Sequence, residues 1–143
     1  MRVPSALRHL LGAAIGLLAA PVAFYVTEAG ARALRAALAG FVPGWTGLAC
    51  LSAVAVLGAA LTCWPGLSPL AAACCGVPLA VVGALFATEP EVATALARGL
   101  PYPPILPDPG EPAGAVAGLT GLYVLLGGLL TVSAARLWWR RES

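Results

Sequence analysis

The side chains able to carry out chemistry are few in this sequence, and their spacing matches no catalytic or metal-binding pattern. The chain of 143 residues has four cysteines and one histidine. No two cysteines have the C-x-x-C spacing of thiol–disulfide enzymes and of many zinc sites; they are Cys50, Cys63, Cys74 and Cys75. With His9 alone to complement them, a Cys/His metal set cannot be assembled in its usual stoichiometry.

Other catalytic constellations are missing from the sequence as well. It has no glycine-rich phosphate loop, no Ser, His and acid grouping, and no pair of carboxylates within an apolar segment. We therefore expect no catalytic residue, no cofactor and no metal ion, and we predict that the chain is not an enzyme.

The composition indicates which solvent the chain occupies. Charged residues make up 10% of the sequence, against about 25% in soluble domains, and 60% of the residues are hydrophobic. The net charge of +2 is too small to predict nucleic-acid binding. The length allows about one domain. These features predict an integral membrane protein whose first partner is the lipid bilayer.

Long uncharged segments predict where the chain crosses the membrane. A spanning helix needs about 20 mostly apolar residues, and the uncharged segment 36–88 is too long for one helix. It must fold back at WPGLSP, residues 64–69, because two prolines and a glycine break a helix there. The sequence predicts an all-α polytopic membrane protein, a single-domain bundle of four transmembrane helices over about 10–27, 45–63, 70–87 and 113–135.

The first predicted span has the alternative of being a cleaved secretory signal. Arg2 and Arg8 precede an apolar segment, as they would in a signal peptide. Cleavage requires a small residue at the third-last position, but the candidate sites place Pro21 or Leu18 there. We therefore expect an uncleaved span.

The distribution of arginine predicts the orientation. Basic residues are retained on the cytoplasmic side, and an even number of spans places both tails together. The tails hold five arginines and the first and third connections hold three. We expect both termini in the cytoplasm. Cys63 and Cys74, at the cytoplasmic ends of the helical hairpin, should then be reduced structural residues.

The first outer connection, residues 28–44, has helical periodicity. Leu34, Leu38 and Phe41 recur at the spacing of one helix face. The pattern predicts a short amphipathic outer helix on the membrane surface, separated from the first span at Gly30. The alternative is that these residues continue the first helix beyond the bilayer.

The second outer connection, residues 88–112, contains PYPPILPDPGEP at 101–112, whose prolines exclude a helix and whose acids favour water. Tyr102 stands among these prolines and is a candidate for docking an external partner. The alternative, which we expect, is a stiff connector that needs no particular residue. Exchanging residues 102–108 for a Gly/Ser linker of equal length would then leave the insertion and abundance of the protein unchanged.

Close helix packing in a membrane depends on small residues, because lipid tails are as apolar as leucine. Two G-x-x-x-G motifs are candidate packing faces. They are Gly12 with Gly16 in the first span and Gly114 with Gly118 in the fourth.

Ionisable residues inside a span usually mark an ion or substrate pathway. Glu28, Arg32 and Arg35 fall at or beyond the edge of the first predicted span, so the sequence predicts no charge inside it. In size the chain resembles small four-span multidrug transporters, but it lacks the acidic residue that their first helix uses for proton coupling. We expect Tyr123 to be a packed side chain bonded to a neighbouring backbone group.

The segment LSPLAAACCGVPLAVVGALFA, residues 67–87, and the layout of the chain resemble small four-span integral membrane proteins of unknown function from actinobacteria. The resemblance implies a bacterial plasma membrane and adds no functional residue. We expect a noncatalytic accessory, assembly or structural component that acts through helix and outer-loop contacts with a membrane-protein partner or a second copy. The alternative is a small transporter or channel subunit that forms its pathway as an oligomer, lined by Pro21 and Pro78.

Overall fold

The structure is a computed structural model that describes residues 5–64, 68–106 and 110–142 of the chain. Within these ranges it has six helices and no strand: α1 (Ser5–Ala39), α2 (Trp45–Cys63), α3 (Pro69–Thr88), α4 (Pro90–Ala97), α5 (Ala115–Leu119) and α6 (Leu122–Glu142). Helices α1, α2, α3 and α6 are long and apolar enough, by length and composition, to cross a membrane. The prediction of an all-α polytopic membrane protein is confirmed.

Helix α1 continues without interruption past the predicted edge of the first span. Its 35 residues correspond to about 52 Å at 1.5 Å per residue, which exceeds the roughly 30 Å of a hydrocarbon core. The chain turns only after Ala39, where Phe41 has a positive φ of 51°. The short outer helix predicted over 28–44 is therefore not a separate element, because most of it is the last part of α1.

Gly30 does not loosen α1, as the sequence suggested, but lets α2 approach it closely. A Cβ added at Gly30 would lie 3.2 Å from the backbone oxygen of Gly47 and 3.1 Å from Cβ of Cys50. At Gly47 an added Cβ would lie 2.8 Å from the backbone oxygen of Gly30, which is too close without a shift of the backbone, so the crossing depends on small residues as in other transmembrane helix pairs.

Helices α2 and α3 form the predicted hairpin, with α2 on the predicted residues and α3 longer by one residue at each end. The backbone N–H of Leu70 donates to the side-chain oxygen of Ser68 at 3.3 Å, which caps α3. Nδ1 of His9 lies 2.7 Å from the same oxygen. The beginnings of α1 and α3 are therefore neighbours. Residues 65–67 of the predicted turn lie outside the described residues.

Helix α3 is central and packs against both α1 and α6. Its glycines permit the second contact: a Cβ added at Gly76 would lie 2.9 Å from the backbone oxygen of Gly127. One added at Gly83 would lie 2.5 Å from the backbone nitrogen of Val124, so α6 runs antiparallel to α3. The beginning of α1 and the end of α6 consequently lie at the same end of the bundle.

The fourth predicted span, 113–135, is divided into two helices. α5 ends at Leu119 and α6 begins at Leu122. Gly121, between them, has a φ of 77°, a conformation that glycine adopts at little cost. α6 then continues to Glu142, beyond the predicted end of the span.

The connection over 88–112 contains a short helix, α4, in which Ala93 and Ala97 are buried and Val92 and Leu96 are exposed. Proline at its first position needs no backbone hydrogen bond there. The described residues between α4 and α5, 98–106 and 110–114, are not helical, as their prolines predict. This connection therefore combines an amphipathic helix with a return segment leading to α5.

Candidate functional site

Glu28 is enclosed at the end of the bundle where the connection from α4 returns, and it is 0% exposed. Its Oε1 accepts hydrogen bonds from Nε of Arg32 at 2.8 Å and from the backbone N–H of Val116 at 3.2 Å. Its Oε2 accepts from the backbone N–H of Ala117 at 2.8 Å. Both oxygens of this carboxylate are therefore bonded within the protein.

Gly114 directs the backbone of α5 toward Glu28. It precedes α5 with a φ of 86°, and a Cβ at this position would contact the ring of Phe24. The first N–H groups of a helix lack intrahelical partners and carry partial positive charge, so a carboxylate stabilises them. Glu28 supplies that carboxylate from α1.

Arg32 lies one turn after Glu28 on the same face of α1 and is 3% exposed. Its Nη1 donates to the hydroxyl of Tyr102 at 2.7 Å. Its Nη2 donates to the backbone oxygens of Pro112 at 2.8 Å and Glu111 at 3.2 Å. The planar guanidinium, with its fixed fork of donors, can serve an acid and three loop acceptors at once. We call Glu28, Arg32 and the groups bonded to them the Glu28–Arg32 network.

Further contacts surround this network and hold the same segment. The hydroxyl of Tyr25 donates to the backbone oxygen of Pro101 at 2.8 Å, and Arg35 pairs with Glu111 at 2.5 Å on a half-exposed surface. Leu106 is buried against the core. The segment expected to be a free connector is therefore fastened to α1. The prolines still exclude a helix, but Tyr102 and Leu106 have specific places.

The geometry of the network favours a structural role over a chemical one. Moving a charged pair out of water costs several kcal/mol per ion, which is offset only when the remaining hydrogen-bonding capacity is satisfied. Glu28 and Arg32 meet that condition because their bonds go to the protein's own groups. Among residues 5–64, 68–106 and 110–142, no three His, Cys, Asp or Glu side chains are grouped closely enough to hold a metal ion.

The first predicted packing motif lies against α3. A Cβ added at Gly12 would lie 3.1 Å from Cβ of Ser68, and one added at Gly16 would contact the backbone oxygen of Ala71. Both glycines thus face the beginning of α3, where the structure leaves no room for a larger residue at Gly16.

The second predicted motif does not form one helical face. Gly114 precedes α5 in a left-handed conformation, whereas Gly118 is within α5 and lies against the ring of Phe86.

Tyr102, the candidate for docking an external partner, is 36% exposed, and its hydroxyl is bonded to Arg32. The hydroxyl of Tyr102 is therefore engaged by a side chain of the same chain.

Tyr123 is fully buried and donates its hydroxyl to the backbone oxygen of Phe24 at 3.0 Å, which matches the expectation of a packed tyrosine bonded to the backbone. The rings of Phe24 and Tyr123 are stacked, with centroids 4.9 Å apart. All cysteines are free thiols: Cys50, Cys63, Cys74 and Cys75.

Sequence reasoning missed that Glu28 and Arg32 are buried within the helix bundle. The signal that could have found them is the i, i+4 spacing of an acid and a base after an apolar segment, since such a pair can neutralise itself inside a helix. Their partners in the return segment and α5 could not be found in this way, because all lie 70 or more residues away and all except the hydroxyl of Tyr102 are backbone groups.

Among the cavities of the described residues, two lie away from the network and a third borders it. One of about 310 Å³, between α2 and α6, is lined mainly by apolar side chains, with Thr62, Cys75 and Ser133 among them. A second of about 460 Å³ lies beside Pro21 and Pro78. A third of about 410 Å³ is lined by Arg98, Tyr102 and Glu111.

No family model, curated protein or solved structure matches this chain. Any statement about its function therefore depends on its own residues and their geometry.

Proposed function

We propose that this chain is a noncatalytic integral membrane protein that acts through contacts, as an accessory, assembly or structural component. The observation that supports this most is the Glu28–Arg32 network. The two charged side chains that are buried among the described residues, Glu28 and Arg32, are engaged in fastening the chain to itself. An ion or proton pathway would need such groups to exchange partners, which costs several kcal/mol for each buried charge.

The fastened segment and α4 form a surface suited to contacts. We call α4 with residues 98–106 and 110–114 the outer platform. Exposed apolar side chains lie on it, namely Val92, Leu96, Leu100 and Ile105. Because the platform is tied to α1, a partner that binds it would not have to order a flexible loop first, which lowers the entropic cost of association.

For its location we propose a bacterial plasma membrane with both termini in the cytoplasm. The layout resembles small four-span proteins from actinobacteria, and the arginine count favours this orientation. The platform would then face outward and meet a membrane-protein partner or a second copy of the chain.

Mass spectrometry of the complex purified from native membranes in mild detergent tests this proposal. The chain should copurify with a stoichiometric partner or as a defined oligomer. Leu96→Ser, on the exposed side of α4, should reduce that association at unchanged abundance. Val56→Ser, equally exposed but on α2, is the control. A protein that remains a monomer without a partner, in membranes and in detergent, would contradict the proposal.

A small transporter or channel subunit is the second candidate, favoured by one observation: Pro21 and Pro78 line the same cavity of about 460 Å³. Its mostly apolar lining suits an apolar solute better than an ion. Liposomes that contain the purified protein should then release a trapped apolar dye faster than protein-free liposomes loaded with the same dye. Equal release from both preparations would exclude this candidate for that class of solute.

A further inference from the structure

Two of the cavities border the same part of the return segment, residues 100–102. The first, which we call the apolar crevice, lies between the proline-containing parts of α1 and α3, and Leu100 and Pro101 form one of its boundaries. The second, which we call the polar cavity, is lined by Arg98, Tyr102 and Glu111. Leu100 lines both. An apolar space and a polar one therefore border the same residue of the return segment.

The apolar crevice has the position and size of a site for hydrocarbon. It extends along α1 from Leu17 to Tyr25, about 12 Å at 1.5 Å per residue. The one hydroxyl in its lining, that of Tyr25, is bonded to Pro101. Ordered water needs two to four polar partners, so hydrocarbon from the surrounding bilayer is the better occupant.

The polar cavity contains a cation, Arg98, that has no ion-pair partner among the described residues. Arg98 is exposed and forms no ion pair with any residue in the described ranges. Glu111, in the same cavity, is already paired with Arg35. A phosphate group beside Arg98 would supply the missing anion through charge-assisted hydrogen bonds.

A phospholipid carries acyl chains and a phosphate joined by a short glycerol unit, in the same order as the two spaces. We propose that the apolar crevice and the polar cavity together bind one phospholipid, with an acyl chain between α1 and α3 and the phosphate against Arg98. Each half supplies a different interaction: apolar contact along the crevice and charge attraction at its mouth.

The charge half is tested with palmitoyl-oleoyl-phosphatidylglycerol and the detergent-purified full chain, by counting bound lipid in native mass spectrometry. Arg98→Gln should lower the affinity for this lipid at least threefold. Arg136→Gln removes the same charge at the other end of the bundle and should leave affinity unchanged. Equal affinities for the two variants would overturn the phosphate contact. Dioleoylglycerol, which lacks a phosphate, should bind Arg98→Gln and the unmodified chain equally, and a loss with this lipid too would show that Arg98 acts through the fold.

The apolar half is tested by filling the crevice. Val82 lines it, whereas Val81 does not and is 61% exposed. Val82→Phe should lower retention of phosphatidylglycerol at least threefold relative to Val81→Phe. Both variants must elute from size exclusion as the unmodified chain does, which separates lipid loss from misfolding. Equal retention by the two variants would overturn the proposal. A changed oligomeric state in Val82→Phe alone would overturn it too, in favour of a second copy in the crevice.

Discussion

The carboxylate of Glu28 accepts a hydrogen bond at 2.8 Å from the backbone N–H of Ala117, which lies 89 residues later in the chain. The same carboxylate binds Arg32, and Arg32 in turn binds the segment that leads to Ala117. One acid–base pair on α1 therefore binds both the outer platform and α5.

Replacing Glu28 by glutamine should destabilise the protein strongly. Glu28→Gln keeps the shape but leaves the guanidinium of Arg32 buried without its anion, and breaking a buried pair in this way costs about 3–5 kcal/mol. Glu111→Gln is the matched control, because it removes an exposed pair worth about 0–1 kcal/mol and leaves the backbone oxygen of Glu111 in place. A mixed-micelle titration measures the free energy of unfolding of both variants. Similar losses for the two variants would contradict the role assigned to Glu28.

Exchanging Arg32 for lysine should loosen the return segment. Lysine keeps the charge but lacks the fork of donors that reaches Tyr102 and Pro112 together. We expect limited proteolysis within 100–114 to become several times faster in Arg32→Lys, with no change at the α2–α3 hairpin. Arg35→Lys, on the half-exposed surface, should be cleaved by the protease at nearly the rate of the unmodified chain. Unchanged cleavage in Arg32→Lys would show that other contacts hold the segment.

The two glycines with positive φ should respond differently to alanine. Gly114→Ala combines a left-handed backbone with a Cβ placed on the ring of Phe24, and we expect it to cost about 2 kcal/mol or more. Gly121 also has a positive φ, but a Cβ there meets nothing within 4 Å. Gly121→Ala should therefore cost only the backbone strain, about 1–2 kcal/mol. Thermal unfolding of both variants in one detergent shows which variant is less stable. If Gly121→Ala were the less stable of the two, α5 would not approach Phe24 closely.

Neighbouring glycines on α6 provide a test of its contact with α3. A Cβ at Gly127 would lie 2.6 Å from the backbone oxygen of Gly76, whereas one at Gly128 meets nothing within 4 Å. Gly127→Ala should destabilise the bundle by about 1–3 kcal/mol through overpacking. Gly128→Ala should be neutral or stabilising by up to about 1 kcal/mol, because alanine favours the helix. Equal effects in the unfolding titration would contradict the close α3–α6 contact.

Much of the fold follows from apolar length and from helix breakers. The uncharged segment and the prolines near Ser68 predicted the hairpin of α2 and α3. The burial of Glu28 and Arg32 was not predicted, because each charge was interpreted only as lying at or beyond the edge of the membrane. Spaced four residues apart on one helix, the two charges form an ion pair that α1 can carry into the bundle.

The tertiary part of the site could not be predicted from local patterns. The partners of Glu28 in α5 are backbone N–H groups, which every residue except proline has, so no residue type marks them. The spacing of Gly114 and Gly118 was recognised in the sequence, but it indicates neither the left-handed conformation of Gly114 nor the ring of Phe24 that lies where its Cβ would be. A glycine in a helix indicates that another helix can approach it closely, but it does not identify which helix that is.

The claim that Glu28 holds α5 in place is tested most directly by hydrogen–deuterium exchange at the backbone amides of Val116 and Ala117, the two groups bonded to its carboxylate. In the unmodified chain, in lipid nanodiscs, these amides should exchange as slowly as those in the middle of α3. In Glu28→Gln they should exchange at least tenfold faster, while the amides of α3 stay unchanged. Equal exchange at both amides in the two proteins would contradict the claim.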